Sequence, residues 1–161
     1  MEPTRGLIVT RDEPELALEV MEAMIGARAG WINVSPEIPD DVKVPQTPGA
    51  MAVFSKRGPA VPLGTWTPPT PAGSRTEPAQ VGIQHGIGAL VVPHLGSSTA
   101  RVPPTWRVIQ DHARRGFVGV PPPEAPLTVV LDWMLLAIDQ LCLVPHTGRF
   151  LVYVYEPTRR R

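Results

Sequence analysis

Cysteine, lysine and long apolar runs are what this sequence has least of. The single Cys142 excludes an internal disulfide framework, so a reducing compartment, most simply the cytoplasm, is expected. The longest apolar stretch, 127–138, is interrupted by Asp132 and falls short of the roughly 18 residues that a membrane span requires. No membrane association is expected from it. Glu2 and Pro3 follow Met1 directly, without a basic and then apolar leader. The histidines stand at 85, 94, 112 and 146, with no His-Glu-x-x-His or Cys-x-x-Cys spacing, so no metal is expected. The glycines at 82, 86 and 88 surround His85, but neither a Gly-Lys-Ser/Thr nor the dinucleotide spacing follows them. No cofactor is expected either.

Leu, Ile, Val and Phe make up about 27% of the 161 residues, above the roughly 20% level associated with disorder. The chain should fold, and its length suits one domain. That domain is expected over residues 1–157, leaving Arg159, Arg160 and Arg161 in a frayed basic tail over 158–161. Proline is abundant, at 21 residues, so long ordered loops are anticipated. Thirteen Arg against two Lys, with the Ala, Gly and Pro richness, fits a GC-rich bacterial genome.

Net charge is zero, yet the charges segregate. Residues 1–49 hold nine acids and four bases, residues 50–120 two acids and seven bases, and residues 121–161 four of each. An anionic ligand would therefore find its best field in the middle block. The balanced total argues against nucleic acid, whose binders normally carry a strongly basic domain.

Hydrophobic periodicity places a strand over 6–10 and then a helix capped by Asp12, with Glu15 three residues on. Its expected buried stripe is Leu16, Val20, Met24 and Ala27. Strands are expected over 31–34 and 50–55, followed by a long proline-rich irregular loop over 56–78 carrying an exposed Trp66. Residues 80–92 suggest either a strand pair turning near His85 or one long strand. Pro103-Pro104 and Gly116 bracket a second helix over 103–115, with ion pairs of Asp111 to Arg107 and Arg115. A strand over 117–120, a nearly all-apolar helix over 126–142 and a strand over 150–155 complete the chain. Leu131, Met134, Leu135 and Ile138 mark that helix's deepest face. The order implies an α+β fold: a single domain with a mixed β-sheet and about three helices, packed mainly on one face.

Three clusters could carry chemistry. Lys56 and Arg57 at a strand mouth could clamp a carboxylate or phosphate. Gln84 and His85 lie where glycine has removed side-chain bulk, as where a strand edge admits a ligand or another backbone. His112, Arg114 and Arg115 end the expected second helix. With Trp66 as an apolar wall, these residues suggest a binding or regulatory domain for an anionic or polar small molecule or a protein partner. The enzyme alternative acts on a phosphate- or carboxylate-bearing substrate, with His85 or His112 as general base and Arg57 or Arg114 as charge stabiliser. A homo-oligomer joined through the third helix or the 150–155 strand is a further class. Cys142 and His146 would form a nucleophile pair only if the intervening loop folded back.

Overall fold

The computed structural model describes residues 1–45 and 58–157. In chain order the elements are β1 (Arg5–Val9), α1 (Glu15–Ala27), β2 (Trp31–Pro36), β3 (Leu63–Thr67), β4 (Thr70–Ala72), β5 (Arg75–Glu77), β6 (Gln80–Gln84), α2 (Val91–Leu95), β7 (Arg107–His112), β8 (Gly116–Val120), α3 (Leu127–Leu141) and β9 (Phe150–Tyr155). Among the described residues, seven strands form one sheet in the order β1-β9-β2-β3-β6-β8-β7, and β4 pairs with β5 alone. This is an α+β arrangement. Among the described residues every strand pair is antiparallel, which corrects the expected mixed sheet. The α1 crossover leaves β1 and β2 pointing the same way, but β9 inserts between them and runs opposite to both. No described helix is long and apolar enough to cross a membrane.

Strand alternation sorts the sheet into two faces, since side chains two residues apart share a side. Ile32 and Val34, Trp66, Val81 and Ile83, and Val152 and Val154 are all buried. Their cross-strand registers put them on one face. α3 packs against β2 and β3, and α1 against β1, β2 and α3. In α3 the spacing of Leu131, Met134, Leu135 and Ile138 does produce a fully buried stripe, each such side chain contributing roughly 1.5–3 kcal/mol. Gly64 makes this contact possible. A Cβ there would lie 2.7 Å from Ile138 Cδ1, so the helix rides directly on strand backbone. Trp133, on the same helix, donates its indole N–H to the carbonyls of Ala100 and Arg101 at 3.0 and 3.1 Å. Trp106 packs edge-on against it at 4.8 Å.

Several local expectations are corrected. Asp12 does not cap α1. Instead the Glu13 N–H donates to Thr10 Oγ1 at 3.1 Å, and the helix follows Pro14 without a side-chain cap. The buried stripe of α1 is Ala17, Val20, Met21 and Met24, while Leu16 is 52% exposed and Ala27 is exposed as well. The proline-rich stretch contains β3, β4 and β5, and Trp66 is buried in the core. Prolines at 62, 68 and 69 flank β3 without interrupting its alternation. The second helix over 103–115 does not exist. β7 and β8 form a hairpin there, and residues 85–92 lead into the short α2 instead of a returning strand. The expected 50–55 strand and the 158–161 tail lie outside the described residues.

Candidate functional site

Gln84, His85, His112, Arg114 and Arg115 lie at one end of the sheet, where β6 and β7 end and β3 and β8 begin. The β7–β8 turn is pinned there by side chains that bond to backbone. Gln110 Nε2 donates to the carbonyls of Arg115 and Gly116 at 2.9 and 3.3 Å. His112 Nδ1 accepts the N–H groups of Arg114 and Arg115, both at 3.0 Å. Asp111 reaches away from the turn, its two carboxylate oxygens accepting from Val91 and Val92 N–H at 2.7 and 3.0 Å. The carboxylate thus ties the start of α2 to β7, and the expected helical ion pairs with Arg107 and Arg115 do not form. Arg114 and Arg115 are presented, exposed, on a turn whose shape is fixed from within.

His85 lies beside this turn. A Cβ on Gly116 would sit 2.4 Å from the Ile83 carbonyl and 3.4 Å from Gln84 Cα, so the hairpin's turn end abuts the exit of β6. Gln84 is exposed, whereas His85 is only 1% exposed. Backbone crosses close beside it: a Cβ on Gly58 would lie 2.2 Å from the His85 carbonyl, and one on Gly86 would lie 2.7 and 2.9 Å from the carbonyls of Pro59 and Gly58. Two segments cross where neither can carry a side chain. Among the described residues neither Nδ1 nor Nε2 of His85 has a hydrogen-bond partner. Burial pushes its pKa below the usual 6.5, opposed by the nearby Asp111 carboxylate and reinforced by His94. The resting ring is therefore a neutral imidazole, with one donor and one acceptor both unmet.

The other candidates separate from this site. Lys56 and Arg57 lie outside the described residues. Trp66 pairs with Val81, three positions along β3 from the Leu63–Gln84 pair, and it lines a different hollow at the opposite end of the sheet. That hollow, about 350 Å³, is walled by Pro69, Pro78, Pro121, Pro122 and Pro123. Among the described residues, no group of three His, Cys, Asp or Glu side chains could hold a metal ion.

One polar cluster at the site's own end escaped the sequence. His146 Nε2 lies 2.6 Å from Asp139 Oδ1, and its Nδ1 accepts Gly148 N–H at 3.2 Å. The pair borders a hollow of about 430 Å³ that also exposes Thr10, Arg11 and Arg149. With both ring nitrogens engaged, this imidazole has no lone pair left for a substrate proton. Arg11 is likewise held, its Nε and Nη2 donating to Asp132 at 3.0 and 3.3 Å. The half-buried Cys142 donates its thiol to the Val144 carbonyl at 3.2 Å, and burial raises its pKa. Asp139, not Cys142, is the partner of His146, so no Cys-His nucleophile pair forms. No residue pattern announces this dyad, because the helix ends at Leu141 and the turn after Pro145 brings the ring back.

No carboxylate among the described residues hydrogen-bonds to His85 or His112, so neither has the oriented base of an acid-base pair. No family model, curated protein or solved structure matches this chain.

Proposed function

We propose that the protein is a small binding or regulatory module in which residues 1–157 act as one domain, with the helices on the apolar face of the sheet. Its ligand is an anionic or polar small molecule taken up at the end of β6. The observation that carries this reading is the buried His85, whose two ring nitrogens have no hydrogen-bond partner among the described residues. A buried polar group is nearly always hydrogen-bonded, and leaving one unmet costs about 1–3 kcal/mol. A group kept at that cost is best accounted for by a ligand that completes it. The neutral ring suits a hydroxyl or carboxyl group, while Arg114 and Arg115 on the pinned turn provide the field for an anion. Access requires the crossing at Gly58 and Gly86, where backbone meets backbone, to part. The single Cys142 and the excess of Arg over Lys favour a bacterial cytoplasmic setting. The balanced charge disfavours nucleic acid as the partner.

Titration calorimetry with sulfate and phosphate tests the reading on the wild type, His85→Leu and Arg115→Ala. Both anions are expected to bind at low salt and to weaken as salt rises. Arg115→Ala should remove most of the affinity, and His85→Leu should reduce it. Sulfate does not titrate in this range, so any strengthening with acidity reports the protein. That strengthening should begin below pH 6.5, because His85 protonates below its ordinary value. Affinity that is undetectable at low salt, or unchanged in His85→Leu, would overturn the assignment.

A further inference from the structure

The sheet face opposite the apolar core presents a continuous uncharged surface. Registers across all seven strands define its central row: Gly6, Tyr153, Asn33, Thr65, Gly82, Val118 and Gln110. None of these carries a formal charge at neutral pH. By alternation, Ile8, Leu151 and the stacked pair of Trp31 and Tyr155, whose rings lie 4.9 Å apart at 9°, share this side. Arg107 and His112, at the two ends of the edge strand β7, stand at its corners. Ile8 is 51% and Tyr153 38% exposed.

A sheet face bathed in water usually alternates the core residues with charged side chains, and this face departs from that rule across its middle. Some of its polar groups are also already engaged. Thr65 Oγ1 donates to Asn33 Oδ1 at 2.8 Å, and Gln110 Nε2 is held by the turn carbonyls. These bonds lower the penalty against burying the strip.

We infer that this face is a homodimer interface, formed by packing two copies sheet to sheet. The row fits its own copy. A two-fold axis parallel to the strands and passing between β2 and β3 sets Tyr153 of each copy opposite Gly82 of the other, and Asn33 opposite Thr65. Large then meets small, and polar meets polar. No charge in the row repels its mate. Strand spacing and rise give a footprint of roughly 600 Å² per copy, hence about 1,200 Å² in total, at the lower bound of stable specific interfaces. Single-stranded nucleic acid, the other partner that stacks on sheet aromatics, requires a basic groove beside them, and the row supplies no cation. A charged peptide would find no counter-charge there either.

Sedimentation velocity and multi-angle light scattering on the full chain test the inference. The wild type should run at twice its 17.5 kDa chain mass at concentrations up to about 100 µM, a range in which an interface of this size associates. Tyr153→Lys and Thr65→Lys should each raise the dissociation constant at least about tenfold, as central substitutions do, with unchanged far-ultraviolet circular dichroism. Val92→Lys, on an exposed side chain of α2, should leave the dimer intact, as should His85→Leu. A wild type that stays monomeric up to that concentration, or a dimer indifferent to both face substitutions, would overturn it.

Discussion

His146 and His85 occupy the same end of the sheet and are wired in opposite ways. The turn over 145–149 folds His146 back onto the last turn of α3, where Asp139 and the Gly148 N–H take its two nitrogens and Phe150 stacks obliquely at 6.0 Å. Every contact comes from a short stretch of neighbouring chain. His85 directly follows β6 beside Gly86, is buried, and has the backbone of Gly58 and Pro59 crossing against its own main chain. Its surroundings exclude water without replacing water's hydrogen bonds. The first imidazole is a fastening between a helix and a strand. The second is a polar group held in reserve, and burial alone does not tell the two apart.

The comparison breaks most visibly through the fastening. His146→Ala and Asp139→Ala should each destabilise the protein by about 1–2 kcal/mol, because hydrogen bonds to a charged group are lost while partial exposure limits their strength. The double variant should be little worse than either single one, as expected of partners. Chemical denaturation measures both effects, and full additivity would show that the pair is not a unit. His85→Leu should act in the opposite direction, raising stability by about 1 kcal/mol through removal of the unmet polar atoms. A loss of that size would mean that the ring is held by its packing.

A smaller effect lies in the pH dependence. The folded-state pKa of His85 is lowered by burial relative to 6.5, so below that value the unfolded chain binds the proton more readily than the folded one. His85 therefore leaves stability intact above about pH 6.5, and stability falls as pH drops from there toward the folded-state pKa. Denaturation midpoints followed from neutral to mildly acid conditions should show that decline in the wild type and a shallower one in His85→Leu. Equal slopes in the two proteins would remove the titration from His85.

The fold was legible where periodicity alone decides. The stripe from Leu131 to Ile138 and the strand from Phe150 to Tyr155 needed no tertiary information. The segment over 103–115 misleads because prolines at its start and a glycine at its end bound hairpins as readily as helices. What selects the hairpin is the bonding of Gln110, Asp111 and His112 to backbone, which composition does not announce. Trp66 looked exposed because its prolines were read as loop, although they lie outside β3. At the site, glycine around His85 signals close backbone approach, and Gly58 and Gly86 make that contact. The missing hydrogen bonds are a property of the assembled fold, so no sequence pattern could show them.

The insertion of β9 between β1 and β2 also sets the order in which the chain can assemble. Among the described residues β1 has β9 as its one neighbour in the sheet, and Arg5 pairs with Val154, far along the sequence. During synthesis β1 is made well before β9, so this pairing can form only after β9 has emerged. Folding accordingly ends with a high-contact-order step, slow by its loop-closure entropy. Until it is taken, the facing edges of β1 and β2 stand open, and the nascent chain is then most prone to pair with a neighbour.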